Sequence, residues 1–117
     1  MLGGTPHLAL EVTLVRQTLL VYDGNETVLE KQVERYLVKK VEAVGGKAYK
    51  FTSPGRAGVA DRIVCLPDGS TWFVELKTAG GKMSALQLIF AEDMLRLKQN
   101  YTVLWSKEDV DELLQRI

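Results

Sequence analysis

The chain has 117 residues, the length of one domain, and at 46% hydrophobic and 26% charged it can bury a core and is too apolar for a disordered state. Its one cysteine, Cys65, and one histidine, His7, exclude a disulfide framework and a Cys- or His-built zinc cluster, and tie any Ser-His-Asp triad to His7 alone. Fifteen basic residues balance fifteen acids, which excludes a general positive coat, yet residues 31–62 hold eight bases against three acids, a local surface suited to a polyanion.

Residues 1–25 form an N-terminal extension that is expected to be β-prone. Leu8, Leu10, Val12 and Leu14 alternate, Thr18 to Tyr22 is a second such run, and Asp23-Gly24 closes it as a turn, so a short hairpin is possible here. The main domain spans 26–117. Thr27 and Glu30 fit a capping box, and Val33, Leu37, Val41 and Val44 recur at helical spacing until Gly45-Gly46 stops the run. Glu30 leans toward the apolar stripe of this helix, and Glu34 falls on its edge. A strand is expected over 47–52 and a loop over 53–58. A hairpin of strands 61–66 and 71–77 turns at Pro67-Asp68-Gly69-Ser70. Ser84, with Gln87 three residues on, caps a helix running to about Gln99. A strand over 101–105 follows, and Ser106 caps a last helix to about Gln115. No run of about 18 apolar residues occurs, so no membrane span is expected. No secretory signal is recognisable.

The hairpin carries the chemistry. Asp61 should land opposite Glu75 or Leu76, and Glu75 and Lys77, two apart, share one face of the sheet. Two close carboxylates repel unless one is protonated or a divalent cation lies between them. Mg²⁺ or Mn²⁺ suits such oxygen donors and also binds phosphate oxygens. A lysine beside them can stabilise charge developing on phosphorus.

Asp61, thirteen residues, then Glu75-Leu76-Lys77 resembles the core of the PD-(D/E)XK nuclease superfamily. The wider set is similar to the VRR-NUC (virus-type replication–repair nuclease) family. It comprises Glu30 to Glu34, Gly45-Gly46, Lys50, Ser53 to Arg62, Phe73 to Lys77, Gly81 to Ser84, and Gln87. The resemblance implies an α/β, restriction-endonuclease-like αβββαβ core with a mixed central sheet flanked by helices. It implies Asp61, Glu75 and the backbone carbonyl of Leu76 as metal ligands and Lys77 as the catalytic lysine. Glu30, or else Glu34, would complete or orient the metal site, and Gln87 would support it. Short relatives from phages and bacteria are typically homodimers that resolve four-way DNA junctions. The implied function is therefore a Mg²⁺- or Mn²⁺-dependent, structure-selective DNA endonuclease in the cytoplasm of a bacterial or phage-infected cell. Direct attack of a metal-activated water on phosphorus is the implied chemistry. Lys50, Ser53, Arg56 and Lys82 are candidate DNA contacts. The alternative is a nuclease-like module that binds branched DNA without cutting it. One departure stands out: where the family usually has Gly-X-Pro-Asp, this chain has Gly58-Val59-Ala60-Asp61, and the loss of proline's fixed φ is expected to loosen the loop.

Overall fold

A computed structural model describes residues 30–116. The expected N-terminal hairpin, His7 and the Thr27 half of the first capping box lie outside these residues. The described elements run α1 (Glu30–Ala43), β1 (Lys47–Lys50), β2 (Arg62–Cys65), β3 (Thr71–Leu76), α2 (Ala85–Arg96), β4 (Asn100–Leu104) and α3 (Lys107–Gln115). This is the order read from the sequence, the αβββαβ core followed by the helix that Ser106 caps.

The four strands form one mixed sheet in the order β1-β2-β3-β4. The first three are antiparallel neighbours, and β4 runs parallel to β3. The antiparallel β2–β3 pair follows from its short turn. There Asp68 Oδ1 accepts from the Ser70 N–H at 2.8 Å and the Ser70 hydroxyl at 2.6 Å, and Gly69 takes φ +89°. The parallel pair needs a crossover, which α2 supplies.

Each face of the sheet buries its own cluster. On one face, Val33, Leu37 and Val41 of α1 and Val110 and Leu113 of α3 pack on Ala48, Val64, Val74, Leu76 and Leu104. The three α1 positions are the i, i+4, i+8 stripe of the sequence pattern. On the other face, α2 covers Tyr101, Val103 and Trp105, and buries Ala91 against them. The rings of Phe51, Phe73, Phe90 and Tyr101 link in series here, with neighbouring centroids 5.9, 6.1 and 6.0 Å apart. Such ring pairs contribute about 0.5–1.5 kcal/mol each beyond the area they bury. Phe90 thereby fixes α2 against the strand that carries Glu75.

The loop before Asp61 is held in place without its proline. Ala60 is 1% exposed, packed into the α2-side cluster. Asp61 N–H donates to the Val74 carbonyl and the Asp61 carbonyl accepts from Phe51 N–H, both at 3.0 Å. Gly58 has φ +88°, and a Cβ there would lie 2.6 Å from the backbone carbon of Leu86. The expected loosening is offset by this packing. Gly58→Ala is accordingly expected to destabilise the domain by about 2 kcal/mol or more, from left-handed strain plus backbone overlap. It should also lower activity, because α2 and the approach to Asp61 must part. Urea unfolding of the variant beside wild type measures the first effect.

Candidate active site

Asp61 precedes β2, and Glu75 is the penultimate residue of β3. Because Arg62 pairs with Val74 in the antiparallel register, Asp61 comes opposite Glu75. Asp61 Oδ2 accepts the Leu76 N–H at 2.8 Å, which fixes its carboxylate against the end of β3. The Leu76 side chain, 1% exposed, turns into the α1-side core and leaves its backbone beside Asp61.

Glu75 is an acid at a core position. It is 2% exposed, and its Oε1 is buried without a hydrogen-bond partner. Its Oε2 accepts from Gln87 Nε2 at 3.0 Å and lies 3.8 Å from Lys77 Nζ. Burial pushes the Glu75 carboxyl up to about 8, helped by the neighbouring Asp61 carboxylate. Lys77 pulls in the opposite direction and is outweighed. An isolated buried carboxylate with an orphaned oxygen is unfavourable unless a proton or a cation occupies that oxygen.

Those features fit a hard divalent ion. Two carboxylates and a neighbouring backbone carbonyl are an oxygen-only donor set, and Mg²⁺ is commonly held by one or two carboxylates with waters completing its shell. Among the described residues no group of three His, Cys, Asp or Glu side chains gathers closely enough to hold a metal. Glu30 lies on the exposed first turn of α1, at the rim of the site. Its influence is through space: burial first, then the Asp61 charge, raise the Glu30 carboxyl, and Lys77 opposes them.

The two helix glutamates have different surroundings. Glu34 Oε2 is bound by Arg62 Nε at 2.8 Å and Lys50 Nζ at 3.1 Å. Burial pushes the Glu34 carboxyl up, but the hydrogen bonds from Lys50 and Arg62 together hold it below the ordinary value. Arg62 also donates from Nη1 to the Ala48 carbonyl at 2.7 Å, tying α1, β1 and β2 together next to Asp61. Sequence reasoning assigned Arg62 no role. The available signal was a cation directly after the candidate acid, on the opposite side of the strand.

Gln87 combines two tasks. Its Oε1 accepts from the Ser84 N–H at 2.8 Å, and its N–H donates to Ser84 Oγ at 3.1 Å, completing the capping box. The other end of the same amide, Nε2, reaches Glu75. Gln87→Glu keeps the cap acceptor but replaces the donor with a second negative charge. Its helix start should survive while cleavage falls by about 10-fold or more, whereas Gln87→Ala should also lose about 1 kcal/mol of capping stability. Thermal melts and cleavage rates of both variants separate the two tasks.

Of the candidate DNA contacts, Lys50 is 70% exposed at its side chain and engaged by Glu34. Arg56 and Lys82 are exposed on loops, and Ser53 is half-buried in a turn closed by Arg56 N–H to its carbonyl at 3.1 Å. Among the described residues, Ser53, Arg56 and Lys82 make no side-chain hydrogen bond or ion pair to the acid cluster.

A mixed αβββαβ sheet with an acid pair and a lysine at the end of one hairpin defines a nuclease-type α/β domain. No protein-family model matches the chain. It is 44% identical over 79 residues to "Putative nuclease p44" of Acyrthosiphon pisum secondary endosymbiont phage 1, covering 68% of this chain and 85% of that protein. A solved structure described as "VRR_NUC domain" superposes with TM-score 0.70 at 36% identity, covering 74% of this chain and 94% of the other. The chain belongs to the VRR-NUC family, as the motif resemblance implied.

Proposed function

We propose that this protein is a divalent-metal-dependent DNA endonuclease that cuts branched DNA, four-way junctions above all, as a homodimer. The observation that carries the reading is the buried Glu75 beside Asp61, with one carboxylate oxygen orphaned and Lys77 3.8 Å from the other. Asp61, Glu75 and the Leu76 carbonyl would hold Mg²⁺ or Mn²⁺, with Glu30 at the rim. Such an ion lowers the pKa of water and neutralises charge on the phosphoryl oxygens.

The chain's own residues do the rest. Gln87 orients the Glu75 carboxylate through a fixed amide. Lys77 presents an ammonium to the non-bridging oxygens of the phosphodiester, where negative charge grows as water attacks. Lys50, Ser53, Arg56 and Lys82 contact flanking phosphates. No side chain in the cluster is placed as a nucleophile, so hydrolysis is direct and no covalent enzyme intermediate forms. Two cuts across a junction call for two sites related by a twofold axis, which a C2 dimer supplies. The setting is the cytoplasm of a bacterial or phage-infected cell. Among the described residues no helix is long and apolar enough to cross a membrane.

The test is cleavage of a labelled four-way junction beside a linear duplex of the same sequence, with Mg²⁺, Mn²⁺ or EDTA. Metal-dependent cutting of the junction in preference to the duplex is the expected result. Binding without cutting in any metal would replace the enzyme by a binding module.

A further inference from the structure

A cleft of about 310 Å³ lies between α1 and the start of α3, lined by Gln32, Arg35, Tyr36, Lys39 and Lys107. Three of these five side chains are cations. The Tyr36 ring is held between two ammonium groups, Lys40 Nζ at 5.5 Å and Lys107 Nζ at 5.6 Å from its centroid, and its hydroxyl donates to Asp111 Oδ1 at 2.8 Å. The acids at this place are Asp111, occupied by that hydrogen bond, and Glu108. Among the described residues Arg35 and Lys39 form no ion pair, so their charge faces outward.

The position of the cleft ties it to the acid cluster. β3 and β4 are parallel, so the chain leaves both at one edge of the sheet. Lys77 follows β3 at that edge, and Lys107 opens α3 just after β4. The first residue of α1, Glu30, feels the charges of Asp61 and Lys77. From its neighbour Lys31, the cations Arg35 and Lys39 follow at four-residue steps, each about 6 Å further along the axis and about 40° further round it. The result is a slanting cationic line that begins one residue after Glu30, turns away from it round the helix by about 100° to 180° and enters the cleft. A nucleic-acid strand presents its own charges in just such a regular series, one per about 3.4 Å of axis.

We propose that this cleft seats the phosphate backbone of a DNA arm leading away from the cut site. The inference rests on the nuclease reading and adds a second contact surface to it, separate from Lys50, Ser53, Arg56 and Lys82.

The experiment compares binding of short-armed and long-armed four-way junctions, by fluorescence anisotropy in EDTA across a salt series. The proteins are wild type, Arg35→Glu/Lys39→Glu, the milder Arg35→Gln/Lys39→Gln, and Lys47→Glu as a control at the far end of β1. The charge-reversed protein should bind the long-armed junction at least about 10-fold more weakly. Its log affinity should depend on log salt with a slope smaller by about 2, from two lost phosphate contacts. The glutamine variant should show the same slope change with a smaller loss of affinity, and it serves if the reversed protein fails to fold. The short-armed junction should bind all four proteins alike. Slopes matching the Lys47→Glu control, or no binding of DNA by wild type, would overturn the proposal. Cleavage by wild type in Mg²⁺ or Mn²⁺ is scored in parallel. Cutting with unchanged slopes removes the cleft alone, and changed slopes without cutting remove the nuclease alone.

Discussion

Lys77→Ala is expected to lower metal-dependent cleavage by about 10²- to 10³-fold while leaving DNA binding within a few-fold of wild type. The side chain projects from the end of β3 onto the face that carries Glu75, with its ammonium 3.8 Å from Glu75 Oε2. An ammonium held there meets charge that is largest in the transition state, so its loss should fall on kcat and spare KM. Without a metal, removing Lys77 leaves Glu75 harder still to ionise, and the variant folds with that carboxyl protonated. Single-turnover cleavage of a labelled junction, with anisotropy in EDTA for binding, measures the split. A Lys77→Ala protein that cuts at the wild-type rate would remove this residue from the chemistry.

The second large effect lies in the pH dependence of metal-free stability. Glu75 titrates near 8 when folded, against an ordinary value of 4.5. Between those values the folded chain keeps a proton that the unfolded chain has released. Stability contributed by the protonated carboxyl is thus full below about pH 4.5 and lost progressively as the pH rises toward 8. In EDTA the Tm should fall by roughly 10 °C over that window. Mg²⁺ or Mn²⁺ should restore much of the loss at pH 8 and little at pH 5, because ligation requires the deprotonated form. Glu75→Gln removes the titrating group, so its Tm should be nearly flat with pH and unresponsive to metal, and cleavage should be abolished. Calorimetry from pH 5 to 8, with and without metal, checks each arm. A wild-type Tm flat in EDTA would mean that Glu75 is not the buried acid described here.

Much of this was legible because the decisive signals were local. The β2–β3 hairpin was marked by its Pro67–Ser70 turn, and a turn of known length sets the register that brings Asp61 opposite Glu75. The stripe Val33, Leu37, Val41 described its own helix, and Ser84 with Gln87 marked where the next one starts. What stayed hidden depends on elements distant in sequence. Gln87 reaching Glu75 requires α2 to be docked, and docking is decided by Phe51, Phe73, Phe90 and Tyr101, which no periodicity connects. Gly58 looked like ordinary loop punctuation, and only its contact with Leu86 shows why a side chain would not fit. The Glu34–Arg62–Lys50 group likewise drew three elements into one ion network, so Glu34 could be set apart from Glu30 only in three dimensions. The first three strands came out one or two residues shorter than their patterns, and β4 kept its length but starts one residue earlier.

The amide of Gln87 also shapes how such a sequence can drift. Its oxygen serves the architecture and its nitrogen serves the acid, through one planar group. Substitutions elsewhere in a protein often trade one property against another by small steps. At position 87 no gradual route exists among the common side chains, since alanine forfeits both ends, glutamate reverses one, and asparagine is a methylene too short to span both. A chain that needs only the fold is free to accept glutamate there. An acid at this place in a relative would therefore accompany an intact helix start and a weakened reaction.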